Sequence, residues 1–142
     1  MHKVLFVCHG NICRSAMAQY VLQDMVSKAG RAEQFQITSV GVSSEEQGNP
    51  VYPPVRRLLN EAGIRCDGHR ARKITQKDVD TFDHIYYMDS SNRRYLERMF
   101  PGETKFQPLL DRDVADPYYY GGYEQTWQDI NGGCRRILEE LV

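Results

Sequence analysis

The feature that most constrains the fold is an apolar run that leads, through a short polar turn, into an amphipathic segment. The run over residues 3–7 is apolar after Lys3 and rich in β-branched side chains, which predicts a buried strand ending at the turn residues 9–11. Over residues 15–28 the apolar positions recur at spacings of three and four, which predicts a helix. A strand and a helix this close together are typical of an α/β fold.

The same alternation continues along the 142 residues. Further strands are predicted over 35–40, 83–88 and 104–107, further helices over 54–62, 90–99 and 123–141, and loops over 43–53 and 111–122. Alternating strands and helices predict a three-layer fold, in which a parallel sheet is covered by helices on both faces. We expect one domain over residues 1–142, with a ligand site beyond the carboxyl ends of the strands.

Composition excludes several classes of function. The 18 Lys and Arg residues nearly balance the 19 Asp and Glu residues, so we expect no binding to nucleic acid or to anionic membranes. No stretch reaches the roughly 20 apolar residues of a membrane span, and the first residues lack a signal peptide's apolar region, so we expect a cytoplasmic protein. The four cysteines form no Cys-x-x-Cys pair, which predicts free thiols and neither a metal nor a cofactor.

The cysteine loop, residues 8–15, places the thiol of Cys8 and the guanidinium of Arg14 at the two ends of a short turn that opens a helix. Backbone N–H groups in such a turn point inward and form a concave site for a tetrahedral anion. Arg14 can close this site with a two-pronged hydrogen bond to phosphate oxygens. The predicted phosphate-binding residues are His9, Gly10, Asn11, Ile12, Cys13, Arg14 and Ser15.

These residue types also predict a reaction. The field that binds phosphate favours the thiolate of Cys8, which then lies in line for attack on phosphorus, while the Ser15 hydroxyl donates a hydrogen bond to it. A leaving group needs a proton donor, and Asp116 is the candidate general acid. The neighbouring Tyr118 and Tyr119 are expected to form a rim that contacts an aromatic leaving group.

Over nearly its full length the chain resembles the low-molecular-weight protein tyrosine phosphatases. The resemblance is carried by Val4-Leu5-Phe6-Val7-Cys8, Gly10-Asn11-Ile12-Cys13-Arg14-Ser15 and Asp116-Pro117-Tyr118-Tyr119. It implies a doubly wound, four-stranded parallel sheet and a metal-free, two-step hydrolysis of phosphotyrosine through a phosphocysteine, with Cys8, Arg14 and Asp116 as catalytic residues. It further implies that Asn11 and His69 hold the loop in shape, and that Asp89 lies near the site.

Substrate preference and regulation are further hypotheses. Glu45 stands near a position where members of this family often carry an aromatic side chain, so an acidic wall is expected to disfavour acidic phosphopeptides. Cys8 and Cys13 are close enough in sequence to form a disulfide under peroxide. The resemblance permits a tyrosine kinase partner that phosphorylates Tyr118 and Tyr119. We expect a monomer that acts on phosphotyrosine-containing proteins.

Two alternative functions remain open from the sequence. A thiol-coupled arsenate reductase shares this type of fold and loop, but it needs further cysteines as a relay, and Cys66 and Cys134 do not form a close pair in the sequence. A noncatalytic phosphate-binding or nucleotide-binding module is the second alternative. Binding alone does not require a thiol, and the loop lacks the Gly-Lys-Ser/Thr ending of a nucleotide-binding loop.

Overall fold

The computed structural model describes residues 1–142 and contains a four-stranded parallel sheet in the order β2-β1-β3-β4. The strands are β1 (His2–Cys8), β2 (Phe35–Gly41), β3 (His84–Tyr87) and β4 (Phe106–Pro108). The helices are α1 (Arg14–Lys28), α2 (Pro53–Glu61), α3 (Gln76–Thr81), α4 (Ser90–Met99), α5 (Pro117–Tyr120) and α6 (Tyr123–Leu141). No helix has the length and apolarity that crossing a membrane requires.

Strand β1 lies inside the sheet, with β2 on one side and β3 on the other. Its register pairs Cys8 with Gly41 of β2 and Val7 with Tyr87 of β3. The chain passes from β1 to β2 on one side of β1 and then crosses back from β2 to β3 on the other side. Because the strand order reverses at β1, a crevice opens at its carboxyl end, which is where Cys8 lies. The expected doubly wound parallel sheet is confirmed.

The two faces of the sheet are covered separately. Val4 and Phe6 belong to a large apolar cluster that includes residues of α1, α2 and α6, whereas Leu5 and Val7 belong to a smaller cluster with residues of α3 and α4. Successive strand side chains point to opposite faces, so a strand covered on both sides must be apolar throughout. This explains why β1 shows no alternation of apolar and polar residues.

Two short helices were not expected from the sequence. Helix α3 has 6 residues and begins with a capping box in which Thr75 and Asp78 satisfy each other's backbone N–H groups. Helix α5 has 4 residues and lies inside residues 111–122, where a loop was predicted; Asp116 caps it and Pro117 starts it. The loop prediction was wrong at that point because a single turn of helix is too short for apolar periodicity to reveal it.

Candidate active site

Asn11 holds the cysteine loop in its shape. It is the only non-glycine residue with a positive φ, 63°, and its side chain is fully buried. Its Nδ2 donates hydrogen bonds to Ser15 Oγ at 2.9 Å and to Ser39 Oγ at 2.9 Å. Its Oδ1 accepts one from the backbone N–H of Arg72 at 3.1 Å. Asparagine tolerates the left-handed region better than most residues, and these contacts hold it there.

His69 holds the same loop from outside. Its Nε2 lies 2.7 Å from the backbone oxygen of Asn11, and since a carbonyl only accepts, Nε2 must carry the hydrogen. Burial lowers the pKa of His69, and the positive charge of Arg70 lowers it further, although the hydrogen bond to Asn11 acts in the opposite direction. The ring therefore acts as a neutral donor, with only 5% of the residue exposed.

Gly41 lets the end of β2 approach the loop closely. A Cβ atom at this position would lie 2.6 Å from the carbonyl oxygen of His9 and 3.2 Å from the backbone nitrogen of Asn11. Those are backbone atoms of the loop, so they cannot move aside without changing its shape. A side chain at position 10 would be less restricted, since a Cβ on Gly10 would lie 3.2 Å from Cγ of Glu46, whose side chain is flexible and can move aside.

The two sulfurs of the loop have different surroundings. Cys8 Sγ, at the end of β1, lies 3.0 Å from Ser15 Oγ in the first turn of α1. Cys13 is also buried, and burial raises the pKa of its thiol well above the usual range, with the charge of Cys8 raising it further. Cys13 is therefore a neutral thiol at physiological pH, which leaves Cys8 as the candidate nucleophile.

The guanidinium of Arg14 is almost completely buried between two carboxylates. Its Nη1 donates to Asp89 Oδ2 at 2.7 Å and to the Val114 carbonyl at 2.7 Å, and its Nη2 donates to Asp116 Oδ2 at 3.3 Å. Burial alone would lower the pKa of Arg14, but the negative charges of Cys8, Asp89 and Asp116 outweigh it, and the pKa is raised. Arg14 Nε is the only buried side-chain nitrogen or oxygen without a hydrogen-bond partner.

Each carboxylate that contacts Arg14 also caps a helix. Asp89 Oδ1 accepts from the Asn92 backbone N–H at 2.8 Å at the start of α4, and Asp116 Oδ1 accepts from the Tyr118 backbone N–H at 3.0 Å at the start of α5. Because one oxygen is held by the helix, the other is directed at the guanidinium. Two local capping motifs thus orient Arg14 from elements that are distant in sequence.

These groups enclose a cavity of about 80 Å³. Its lining residues are Cys8, His9, Gly10, Ile12, Cys13, Arg14, Glu45, Glu46, Asp116, Tyr118 and Tyr119. The volume is small, a few times the ~30 Å³ that a water molecule occupies in the liquid. It is suited to one tetrahedral group and not to a whole peptide.

The rim of this cavity is partly acidic and partly aromatic. Glu45 Oε2 lies 3.4 Å from His9 Nε2 across the opening, and the rings of Tyr118 and Tyr119 meet edge to face at 5.1 Å. The predicted residues of the site therefore lie together, with Asn11, Ser15 and His69 behind the loop and Asp89 behind Arg14. No group of three or more His, Cys, Asp or Glu side chains is arranged to hold a metal ion.

Sequence reasoning missed several contributors to the site. Ser39 and Gly41, at the end of β2, support the cysteine loop, while the Val114 carbonyl binds Arg14 and Glu46 lines the cavity. The signal for Ser39 and Gly41 was present, because a polar residue and a glycine at the carboxyl end of a buried strand lie at the crevice. A backbone carbonyl such as that of Val114 leaves no sequence signal.

A doubly wound α/β fold whose first strand ends in a cysteine, inside an anion-binding loop closed by an arginine and faced by an aspartate, defines a class of cysteine-dependent phosphatases. Residues 3–142 match the sequence profile described as "Low molecular weight phosphotyrosine protein phosphatase". The chain belongs to this family, as the resemblance in its motifs implied.

Individual relatives agree with this assignment. The chain is 37% identical to the low molecular weight protein-tyrosine-phosphatase YfkJ of Bacillus subtilis, covering 99% of this chain and 96% of the relative, and 40% identical to a Schizosaccharomyces pombe family member, covering 99% and 97%. The crystal structure of YfkJ superposes with a TM-score of 0.95 over 99% of this chain and 94% of that one. A Drosophila protein described as an arginine phosphatase superposes with a TM-score of 0.88 at 33% identity, over 97% and 96% of the two chains.

Proposed function

We propose that this protein hydrolyses phosphotyrosine in proteins, together with small aryl phosphates, through a phosphocysteine on Cys8. The observation that carries the proposal is the convergence of Cys8, Arg14 and Asp116 on one cavity of about 80 Å³. These three side chains supply a nucleophile, an anion-binding group and a proton donor, and no metal or cofactor is needed. Membership of the family supports the same reaction.

In the first step the Sγ of Cys8 attacks phosphorus and the bond to the aryl oxygen breaks. The loop N–H groups and Arg14 stabilise the negative charge on the phosphoryl oxygens, and Asp116 gives its proton to the leaving oxygen. In the second step Asp116 takes a proton from water, the water oxygen bonds to phosphorus, and the sulfur–phosphorus bond breaks. Inorganic phosphate and the Cys8 thiolate result, the latter stabilised by Ser15 Oγ at 3.0 Å.

The unpartnered Nε of Arg14 supports this role. A buried polar nitrogen without a hydrogen bond costs free energy of about 1–3 kcal/mol, so such an atom usually serves a ligand. Asp89 and Val114 already accept hydrogen bonds from Nη1. The edge of the guanidinium formed by Nε and Nη2 is therefore the one that binds phosphate oxygens. Nη2 exchanges its 3.3 Å contact with Asp116 for the phosphate, and this exchange releases Asp116 toward the leaving group.

The deciding experiment is hydrolysis of p-nitrophenyl phosphate in a metal chelator by the parent and by Cys8→Ser. We expect turnover by the parent and none by the variant, and acid quenching of the parent during turnover should trap phosphate on Cys8 by mass spectrometry. Turnover by Cys8→Ser would refute the covalent mechanism. Thiol-dependent reduction of arsenate without hydrolysis would favour the reductase, and phosphate binding without turnover would favour a binding module.

Substrate class needs a direct comparison because one structural relative is described as an arginine phosphatase. The aromatic rim of Tyr118 and Tyr119, the former in edge-to-face contact with Tyr52 at 5.1 Å, favours a flat aryl group over a guanidinium. A phosphotyrosine peptide should therefore be hydrolysed with a higher kcat/KM than the same peptide carrying phosphoarginine. The reverse order would reassign the substrate.

The remaining expectations form part of this proposal. The 142 residues act as one phosphatase domain, since both apolar clusters are built on the same sheet. The enzyme works as a monomer in the cytoplasm, where its four free cysteines stay reduced. A tyrosine kinase that modifies the exposed Tyr118 and Tyr119, and a Cys8–Cys13 disulfide formed under peroxide, are its proposed regulators.

A further inference from the structure

A groove of about 790 Å³ opens beside the phosphate cavity and is continuous with it. Three residues, Ile12, Glu46 and Tyr118, line both spaces. The groove passes Tyr52, whose backbone N–H donates to the carbonyl of Ile12 at 3.0 Å, and then follows α2. A substrate whose phosphate occupies the small cavity must place the rest of its chain outside it, and this groove is adjacent.

One face of α2 forms a wall of the groove. The lining residues of this helix are Pro53, Arg56, Arg57, Asn60 and Glu61, which recur at spacings of three and one and so lie on a single face. The opposite face, with Val55 and Leu59, is buried in the core. The outward face is therefore free to bind, while the helix itself is fixed.

The charge changes sign twice along the groove, from negative to positive and back to negative. Glu46 lies at the catalytic end, because it also lines the phosphate cavity, and Glu61 is the last residue of α2. Arg56 and Arg57 lie between them. Arg57 is exposed and makes no ion pair, and Arg56 makes only a long one, 3.7 Å, to Asp67. The middle of the groove is thus the place where an anionic side chain gains most.

We propose that this groove binds the polypeptide that flanks the phosphotyrosine, and that it selects an acidic residue two to three positions away from the phosphotyrosine over one next to it. The spacing is measured from Tyr52, whose ring contacts that of Tyr118 at the rim of the phosphate cavity at 5.1 Å. Arg57 is five residues beyond Tyr52, about 7.5 Å along the helix axis at 1.5 Å per residue. An extended peptide covers this distance in two to three residues, at about 3.3 Å each.

This proposal rests on the proposed phosphatase function and refines the preference expected from Glu45. Acidic residues beside the phosphotyrosine meet Glu45 and Glu46 and are disfavoured, whereas acidic residues farther along meet Arg56 and Arg57. Among acidic peptides of the same net charge, kcat/KM should therefore be high or low according to the position of the acidic residue.

The test uses phosphotyrosine peptides of one composition, in which a single glutamate is moved from the adjacent position to the third position, on either side. On the side that occupies the groove, kcat/KM should be about threefold higher for glutamate at the third position, the size expected for one exposed ion pair. At 1 M NaCl, where charges are screened beyond about 3 Å, the difference should vanish. Equal kcat/KM for all positional isomers at low salt would overturn the proposal.

Variants identify the surface responsible. Arg57→Glu should reverse the preference and Arg57→Gln should remove it, whereas Arg135→Glu, an equivalent charge reversal on the exposed face of α6, should leave it intact. Loss of the preference in Arg135→Glu to the same extent would mean that net charge, not the groove, is responsible. If the parent hydrolyses p-nitrophenyl phosphate but does not discriminate among the peptides, only the groove proposal fails. If it hydrolyses neither, both proposals fail.

Discussion

Arg14 Nη1 lies 2.7 Å from Oδ2 of Asp89, and this contact joins the cysteine loop to the first turn of α4. The other oxygen of the same carboxylate accepts the Asn92 N–H at 2.8 Å. One aspartate thus caps a helix and holds the guanidinium of Arg14, which lines the same cavity as Cys8. The position of α4 is therefore coupled to the orientation of Arg14.

Two substitutions of Asp89 separate these roles. Asparagine caps a helix about as well as aspartate but cannot form an ion pair with Arg14, whereas alanine can neither cap the helix nor form the ion pair. We expect both Asp89→Asn and Asp89→Ala to lower kcat/KM for p-nitrophenyl phosphate about tenfold, since small displacements of a positioning group are costly. Urea unfolding should show Asp89→Ala to be less stable than Asp89→Asn by about 1 kcal/mol. Equal stabilities would mean that the cap contributes nothing.

The backbone of Asn11 allows strain and side-chain contacts to be measured separately. Asn11→Gly loses three side-chain hydrogen bonds, about 1 kcal/mol each, but glycine accepts a φ of 63°. Asn11→Ala loses the same bonds and adds left-handed strain of about 1–2 kcal/mol. We expect Asn11→Ala to have the lower free energy of unfolding by urea denaturation. An alanine variant as stable as the glycine variant would show that the loop relaxes out of this conformation.

Gly41 and Gly132 form a matched pair for testing close approach. Gly41→Ala should displace the loop, because its Cβ would lie 2.6 Å from the His9 carbonyl oxygen, and should lower both kcat/KM and phosphate affinity at least tenfold. Gly132, inside α6, has nothing within 4 Å of its Cβ position, and Gly132→Ala should keep full activity and gain about 0.5–1 kcal/mol of stability. Normal phosphate affinity in Gly41→Ala would contradict the steric argument.

The buried, neutral ring of His69 predicts a dependence of stability on pH. Burial lowers its pKa in the folded protein below the unfolded value of about 6.5. The unfolded state therefore binds more protons between the two pKa values, and stability falls as pH falls below about 6.5, by at most about 1.4 kcal/mol per pH unit. Above about pH 6.5 the ring is neutral in both states and contributes no slope.

The measurement is the free energy of unfolding in urea at pH 7.5 and at pH 5.5, for the parent and for His69→Gln. Glutamine can still donate a hydrogen bond toward the Asn11 carbonyl but does not titrate in this range. The parent should lose more stability than His69→Gln on acidification. The same loss in both proteins would assign the pH dependence to other groups.

Much of the site could be predicted from sequence because its parts are local. The cysteine loop carries both Cys8 and Arg14 between a strand and a helix, and the turn at Asp116-Pro117 is recognisable by itself. The supports of these residues could not be predicted in the same way. Ser39, Gly41 and the Val114 carbonyl reach the loop only through the order of the strands and the path of a later loop. The residues next to them in sequence give no indication of which part of the chain they contact.

The sequence alone determined the alternation of strands and helices, the position of Cys8 at the end of the first strand and the family to which the chain belongs. These features are encoded in short segments, where apolar spacing and turn residues act over a few positions. Only the tertiary structure decided that Asp89 and Asp116 both face Arg14, and that Arg56 and Arg57 line a groove that shares lining residues with the cavity at Cys8. The physical reason is that the sheet brings together loops from the carboxyl ends of separate strands, so contacts between residues 75 and 102 positions apart depend on strand order and packing.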